Sequence, residues 1–284
     1  MTCIVCNAQL SDGLSDWHRT CRRCAYEGAA LASAINHAET QALINEDARE
    51  VALRALRQQN FRKIVALARQ HAAPEARSLL DVGSAHGWFL DAACEQFEAH
   101  GIEPDEAMAR RSAARGRTPR VGFFPQVLEP GERFDVIVFN DVIEHIVDIR
   151  AALRDCHDRL PTGGILVLNL PSSSGLFYRL SKLMARLGLR GPFDRLWQVG
   201  LPSPHVHYFA PENLAKLVES EGFALRHHGE LPVVSADGLW QRLNMVGKVN
   251  PLYAALQYVV IRAVVMPLAK LFPSDIMVCI FNKR

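Results

Sequence analysis

The sequence predicts an α/β protein. Its doubly wound, mostly parallel sheet is preceded by a small cysteine-rich module and interrupted by helical insertions. Two observations carry this. From about residue 75, short apolar runs alternate with helical stretches, the rhythm of successive βαβ units. Before that point, four cysteines fall in two close pairs, in a segment too short to build a core of its own. The chain has 284 residues, 49% of them apolar. That suffices for one large domain with an appendage and excludes global disorder.

Within 1–27, Cys3-x2-Cys6 and Cys21-x2-Cys24 are separated by 14 residues. Two such knuckles close a tetrahedral site of four thiolates, and the spacing is that of a zinc ribbon. Four thiolates leave no open coordination position, so a structural Zn2+ is expected. His18 is a weaker alternative ligand. Cys94, Cys156 and Cys279 fall in helix or strand contexts and read as core residues. Residues 28–74 are rich in Ala, Leu, Arg, Glu and Gln, with no Gly after Gly28 and no Pro before Pro74. They read as a helical linker region.

The main domain is expected over 75–284. Residues 78–82 form a short buried strand, 88–100 a helix, 101–103 the end of a second strand and 105–115 a helix. Residues 134–139 are almost continuously apolar, as in a strand covered on both faces. A helix at 149–160 is stopped by Pro161 and Gly163-Gly164, and 165–170 is the next strand. After Pro171 the rhythm breaks into an insertion at 172–204, helical over 176–187. A helix at 211–221 and a strand at 224–234 follow. A second insertion at 235–274 is mostly helical and apolar, and 276–281 is the last strand.

Asp81-Val82-Gly83-Ser84-Ala85-His86-Gly87 joins the first strand to its helix. Gly83 and Gly87 let the backbone turn sharply and a ligand approach closely. Glu103 stands about 20 residues further on, at the end of the second strand, where a carboxylate accepts hydrogen bonds from both hydroxyls of a ribose. Loop and acid together point to an adenosine-containing cofactor, with Asp81, Gly83, Ser84, Gly87 and Glu103 as its candidate binding residues.

These residues resemble the motifs of class I S-adenosylmethionine-dependent methyltransferases, a Rossmann-like family. Leu79-Leu80 with the loop through Gly87 is similar to the family's first motif, and Gly101-Ile102-Glu103-Pro104 to its second. Phe134-Asp135-Val136-Ile137-Val138-Phe139-Asn140-Asp141-Val142-Ile143-Glu144-His145 is similar to the fourth-strand motif. Leu160-Pro161-Thr162-Gly163-Gly164-Ile165-Leu166 is similar to the turn before the fifth strand. The resemblance covers roughly 75–234 and the final strand. It implies a seven-stranded sheet with an antiparallel last strand, S-adenosyl-L-methionine as cofactor, and Asn140 and Asp141 at the cofactor site. Two positions depart from the pattern. Ala85 replaces the middle glycine of the loop. Gly122-Phe123-Phe124-Pro125 stands where an acidic residue usually meets adenine, leaving stacking and backbone contacts to hold the base.

A methyl group on a sulfonium is already reactive, so the protein's task is to align the acceptor and exclude water. A hydroxyl acceptor also needs a base, and histidine suits neutral pH. His145 follows the fourth strand, and His205 and His207 precede the helix at 211. Alternation in an extended segment puts His205 and His207 on one side. These three are the catalytic candidates, His145 and His205 the preferred pair. The competing reading is that each caps backbone groups at a strand end. The 172–204 insertion mixes Phe177, Tyr178, Phe193 and Trp197 with Arg179, Arg190 and Arg195. That mixture suits a sugar or an anionic acceptor, and it equally suits ordinary packing.

The resulting expectation is O-methylation of a sugar, lipid-linked or other small-molecule acceptor, as in polysaccharide biosynthesis. Asp141 to His145 resembles family members acting on quinones, sugars and other small acceptors. One alternative is RNA-base methylation, which the four-cysteine module and two arginine groups favour (Arg19, Arg22, Arg23; Arg110, Arg111, Arg115, Arg117, Arg120). Against it stand a net charge of only +2 and the lack of an Asn-Pro-Pro-aromatic motif. A non-catalytic cofactor-binding scaffold is the other alternative. Met1 to Cys6 lacks the charged start and apolar run of a signal peptide, so a cytoplasmic protein is expected. The apolar tract 251–273 is broken by Gln257, Arg262, Pro267 and Lys270, which disfavours a membrane span. Core packing, a homodimer contact and a peripheral membrane contact remain as its readings.

Overall fold

The computed structural model describes residues 1–32, 46–233, 239–240 and 251–284. The helical reading of 33–45, the strand end at 234 and the insertion residues 235–238 and 241–250 lie outside them.

Three short strands open the chain: β1 (Ser11–Asp12), β2 (His18–Thr20) and β3 (Glu27–Ala29). Helix α1 (Glu46–His71) leads into the alternating part. There β4 (Ser78–Val82), α2 (Trp88–Ala93), β5 (Glu98–Glu103), α3 (Glu106–Ala113), β6 (Arg120–Val121), β7 (Val136–Asn140), α4 (Ile149–Arg159) and β8 (Ile165–Pro171) follow one another. The first insertion holds α5 (Leu176–Arg186) and α6 (Gly191–Leu196). Beyond it come β9 (His207–Tyr208), α7 (Pro211–Ser220), β10 (Phe223–Glu230), α8 (Pro251–Val260), α9 (Met266–Ala269) and β11 (Ile276–Lys283).

The main sheet has seven strands in the order β10-β11-β8-β7-β4-β5-β6. β11 runs antiparallel to both its neighbours, and the remaining pairs, from β8 to β6, are parallel. Val136, Ile137, Val138 and Phe139 of β7 are fully buried, as a strand covered on both faces requires. Strand order reverses between β4 and β7, so the carboxyl ends there diverge and leave a crevice, the usual ligand position in such sheets.

Two local expectations change. The helix expected over 88–100 stops at Ala93, and Glu98, Ala99 and His100 pair with Ser78, Leu79 and Leu80 instead. Sheet pairing outweighs the helix propensity of Glu and Ala. α1 also does more than link. Phe61, Ile64, Val65 and Ala68 recur at helical spacing and bury against Phe89, Val136 and Val138. The helical part of 28–74 is thus a layer of the main domain.

The amino-terminal strands form a second sheet, β1-β2-β3-β9. Its fourth strand comes from the far side of the first insertion: Glu27 pairs with Tyr208 and Gly28 with His207. Packing follows the same route. Cys3, Cys21 and Tyr26 share a buried cluster with Ile143, Ile149 and Phe209. Tyr178, Phe193, Trp197 and Tyr208 form another, on which Trp17 lies, stacked on Phe193 at 5.7 Å. Tyr178, Phe193 and Trp197 of the insertion are therefore packing residues joining it to the amino-terminal module.

A buried polar knot secures this junction. Glu27 accepts from His18 Nε2 (2.8 Å), Tyr178 Oη (2.9 Å) and Lys182 Nζ (2.5 Å). His18 Nδ1 accepts from the Leu14 amide at 3.0 Å, so both its nitrogens are engaged and it is no metal ligand. Arg150 donates twice to the Ile4 carbonyl, and Asn213 Nδ2 donates to that of Cys24. Among the other cysteines, Cys156 and Cys279 are buried as expected, whereas Cys94 is exposed beside Arg117.

Candidate active site

The crevice at the ends of β4, β5 and β7 opens into a cavity of about 1050 Å³. That is the upper end of the size range of small-molecule sites, room for a nucleoside cofactor and an acceptor together. Gly83, Glu103, Asn140, Asp141, His145 and His205 all line it. The first four gather at the ends of β4, β5 and β7, and the histidines face the insertion.

The loop after β4 is shaped by backbone constraint. Gly83 has φ 77°, and a Cβ there would stand 2.5 Å from Val142 Cγ2. Ala85 takes φ 44°, a left-handed conformation that alanine resists. Its amide donates to Glu103 Oε2 at 2.7 Å, and the Asp105 amide donates to Oε1 at 2.8 Å. Burial still pushes the Glu103 carboxyl up to about 7. Further donors would favour its charged form, and ribose hydroxyls are donors of the right kind.

Three expected cofactor residues support the loop from outside the main cavity. Asp81 lies beneath it, accepting from Asn140 Nδ2 at 3.1 Å, with burial raising its pKa to about 7. Asp81 and Ser84 line a small adjoining recess. Gly87, at φ 76°, serves helix packing: a Cβ there would meet Ser112 Oγ of α3 at 2.4 Å. Arg57 is a site residue that sequence reasoning missed. It reaches the cavity from α1, with Nη2 3.7 Å from Asp141 Oδ2. Nothing local in α1 signals this, because only tertiary packing brings the helix to the loop. Phe123 and Phe124 also line the cavity, where the departure from the acidic pattern left adenine to stacking.

At the insertion side of the cavity, His145 Nδ1 donates to the Pro204 carbonyl at 2.9 Å, which leaves the basic lone pair of the neutral ring on Nε2. That nitrogen and His205 Nε2 each stand 3.9 Å from Glu144 Oε1. The two imidazoles meet edge to face at 4.7 Å. Glu144 is fully buried, neither of its oxygens has a hydrogen-bond partner among the described residues, and burial raises its carboxyl well above the usual range. His205 Nε2 accepts from Gln198 Nε2 at 2.8 Å, and burial lowers its pKa to about 3.

His207 departs from the expected shared side. It is buried away from the cavity; its Nε2 donates to the Ile146 carbonyl (2.9 Å) and its Nδ1 accepts from Tyr26 Oη (2.6 Å). With both nitrogens occupied it fastens β3 to β9 and has no lone pair for an acceptor. The alternation fails because only His207 lies in a strand, while His205 lies in the irregular segment before it.

The pairs of the β3–β9 ladder continue into this wall. Ala29 N donates to the Val206 carbonyl, and Val206 N donates to that of Glu144, both at 2.9 Å. One path of backbone hydrogen bonds thus runs from the cysteine module through the segment carrying His205 and His207 to the turn holding Glu144 and His145.

At the module's own centre, Cys3 Sγ and Cys24 Sγ are 3.5 Å apart, as are Cys6 Sγ and Cys21 Sγ, and all four sulfurs lie within 4.8 Å of one another. The two knuckles repeat one geometry. Asn7 and Ala25, each just after a second cysteine, are left-handed, and each amide bonds back to the first cysteine's carbonyl.

Sheet order, loop and carboxylate define the Rossmann-like fold of a class I methyltransferase. A family model described as a methyltransferase domain matches residues 52–228, and the chain belongs to that family. Its fold is that of solved S-adenosylmethionine-dependent methyltransferases. The ubiquinone biosynthesis O-methyltransferase of Paramagnetospirillum magneticum is 35% identical over 100 residues, 33% of this chain and 40% of that protein. The human mitochondrial ubiquinone biosynthesis O-methyltransferase is 28% identical over 104 residues, 35% of this chain and 26% of that protein. The matches thus span less than half of those relatives' length. Among solved structures, a SAM-dependent methyltransferase from Thermotoga maritima superposes with a TM-score of 0.54 at 16% identity, covering 86% of this chain and 97% of that one. An S-adenosylmethionine-dependent methyltransferase from Mesorhizobium loti gives 0.50 at 15%, covering 77% and 96%.

Proposed function

We propose that the enzyme O-methylates a hydroxyl of a small organic acceptor, sugars and lipid-linked molecules included, with His145 as the general base. The observation that carries this is the Glu144–His145–His205 group on the cavity wall opposite the cofactor loop. S-adenosylmethionine, when bound, supplies a methyl group on a positively charged sulfur. Glu103 would hold its ribose, the Gly83 loop its amino-acid end and Phe123 and Phe124 its base.

His145 is oriented by Pro204 so that Nε2 meets the acceptor's hydroxyl and takes its proton as the C–O bond forms. Glu144, with Oε1 3.9 Å from that nitrogen, is the buried carboxyl behind the base. His205 positions the pair through ring contact and through Gln198. The quinone-biosynthetic enzymes among the relatives are named O-methyltransferases, which agrees with a hydroxyl acceptor. RNA methylation is less favoured, because most of the second arginine group is paired within the domain: Arg110 with Glu106, Arg115 and Arg117 with Asp91, and Arg120 with Glu132.

The four-cysteine centre fits a structural zinc. About 2.3 Å from metal to sulfur in a tetrahedron puts sulfurs roughly 3.8 Å apart, near the spacing observed here. Cys3, Cys6, Cys21 and Cys24 would be its ligands, and its task would be to hold β3 against β9.

Incubation of the enzyme with methyl-labelled S-adenosylmethionine and fractionated cell extract tests the acceptor. Label is expected in low-mass or lipid-extractable material as an alkali-stable ether. Label confined to RNA or protein would overturn the assignment.

A further inference from the structure

We propose that the insertion helices α5 and α6, with the 251–272 tract, form a peripheral docking face for an anionic lipid bilayer. Helix α5 carries its apolar residues on the wrong side for a protein surrounded by water. Tyr178, Ser181 and Ala185 face inward, yet Leu180, Leu183 and Leu187 are 47%, 52% and 74% exposed. Their i, i+3, i+7 spacing puts them on one stripe, which Leu189 extends at 59% exposure. Exposed Arg179, Arg186 and Arg190 flank the stripe. Across 176–199, Asp194 is the single acidic residue. Leucines in a row with arginines beside them are the composition of a helix lying in the interface plane, its apolar face among acyl chains and its cations at phosphates.

The second tract repeats the pattern. Leu256, Val259 and Val260 of α8 are exposed at i, i+3, i+4 spacing, as are Leu271 and Phe272 further on. Arg262 and Lys270 are exposed beside them, and 251–272 contains no acidic residue. The two tracts are tied together at their roots. Leu176 N donates to the Pro273 carbonyl, and the amides of Phe177 and Tyr178 donate to the Asp275 carboxylate. A second copy of the chain fits this face less well, since a two-fold contact would set arginine against arginine. No helix among the described residues is long and apolar enough to cross a membrane, so the contact is of the surface kind. Arg195, Leu201 and Pro202, from the same insertion, line the cavity.

Flotation of the full-length protein with phosphatidylcholine vesicles, with and without phosphatidylglycerol, tests this. Binding is expected with the anionic vesicles, weakening at high salt. The R179E/R186E/R190E variant should lower the partition coefficient about a hundredfold. L180E/L183E/L187E should abolish flotation while S-adenosylmethionine binding, the control for folding, stays unchanged. Wild-type protein that fails to float with phosphatidylglycerol at low salt overturns the proposal. So does flotation that either variant leaves intact, or a leucine variant that merely converts a dimer to a monomer.

Discussion

Ala85 occupies a backbone region that costs alanine about 1–2 kcal/mol, because its amide must face Glu103. Ala85→Gly is therefore expected to raise unfolding stability by about 1 kcal/mol; a denaturant midpoint that stays level or falls would contradict this. Glu103 predicts a pH signature. In the unliganded protein its carboxyl sits near 7, raised by burial, so the folded state holds this proton more tightly than the unfolded state does. Its contribution to stability is lost as pH rises from the ordinary carboxylate range through 7. Ribose donors favour the charged form, so cofactor affinity should rise with pH up to about 7 and level off above. Glu103→Gln should flatten that profile and weaken binding at least about tenfold; calorimetry across pH checks both. The histidines divide by role. His145→Ala should cut kcat by about 10²–10⁴-fold with cofactor binding intact. His207→Ala should act on thermal stability instead, because both its nitrogens serve the β3–β9 junction.

The β3–β9 junction concentrates groups that resist protonation. Burial holds His207 near 4 and His205 near 3. Glu27, although buried, is kept below its usual range by His18 and Lys182. The histidines contribute stability fully above about 6.5, the unfolded value, and lose it as pH falls toward 4; Glu27 follows at lower pH. Undocking of the amino-terminal module should therefore precede global unfolding on acidification, seen as a rise in Trp17 and Trp197 exposure. A single transition by all probes would oppose it. This element also shows where the sequence stopped being legible. Strands β4, β7 and β8 announce themselves through short, mostly apolar runs, and the loop and Glu103 through their spacing. The His205–Phe209 segment was readable only as extended. Its partner lies about 180 residues earlier in the chain, and a two-residue ladder leaves no periodicity. Arg57 was hidden for the same reason, since α1 reaches the loop only through packing.

At the scale of the molecule, the cysteine module is not an appendage in front of the main domain: its third strand pairs with β9 and backs the segment that carries His205 and His207. A continuous backbone path joins its knuckles to Glu144 and His145 through Ala29 and Val206. Metal loss should consequently affect the acceptor side of the enzyme and spare the cofactor side. The most direct measurement is amide hydrogen exchange on zinc-loaded protein before and after chelation. Peptides covering 25–30 and 204–209 should exchange much faster once zinc is removed, while those in β4 and β7 keep their protection and S-adenosylmethionine still binds. Unchanged exchange at 204–209 in a chelated protein whose knuckles have opened would contradict the account.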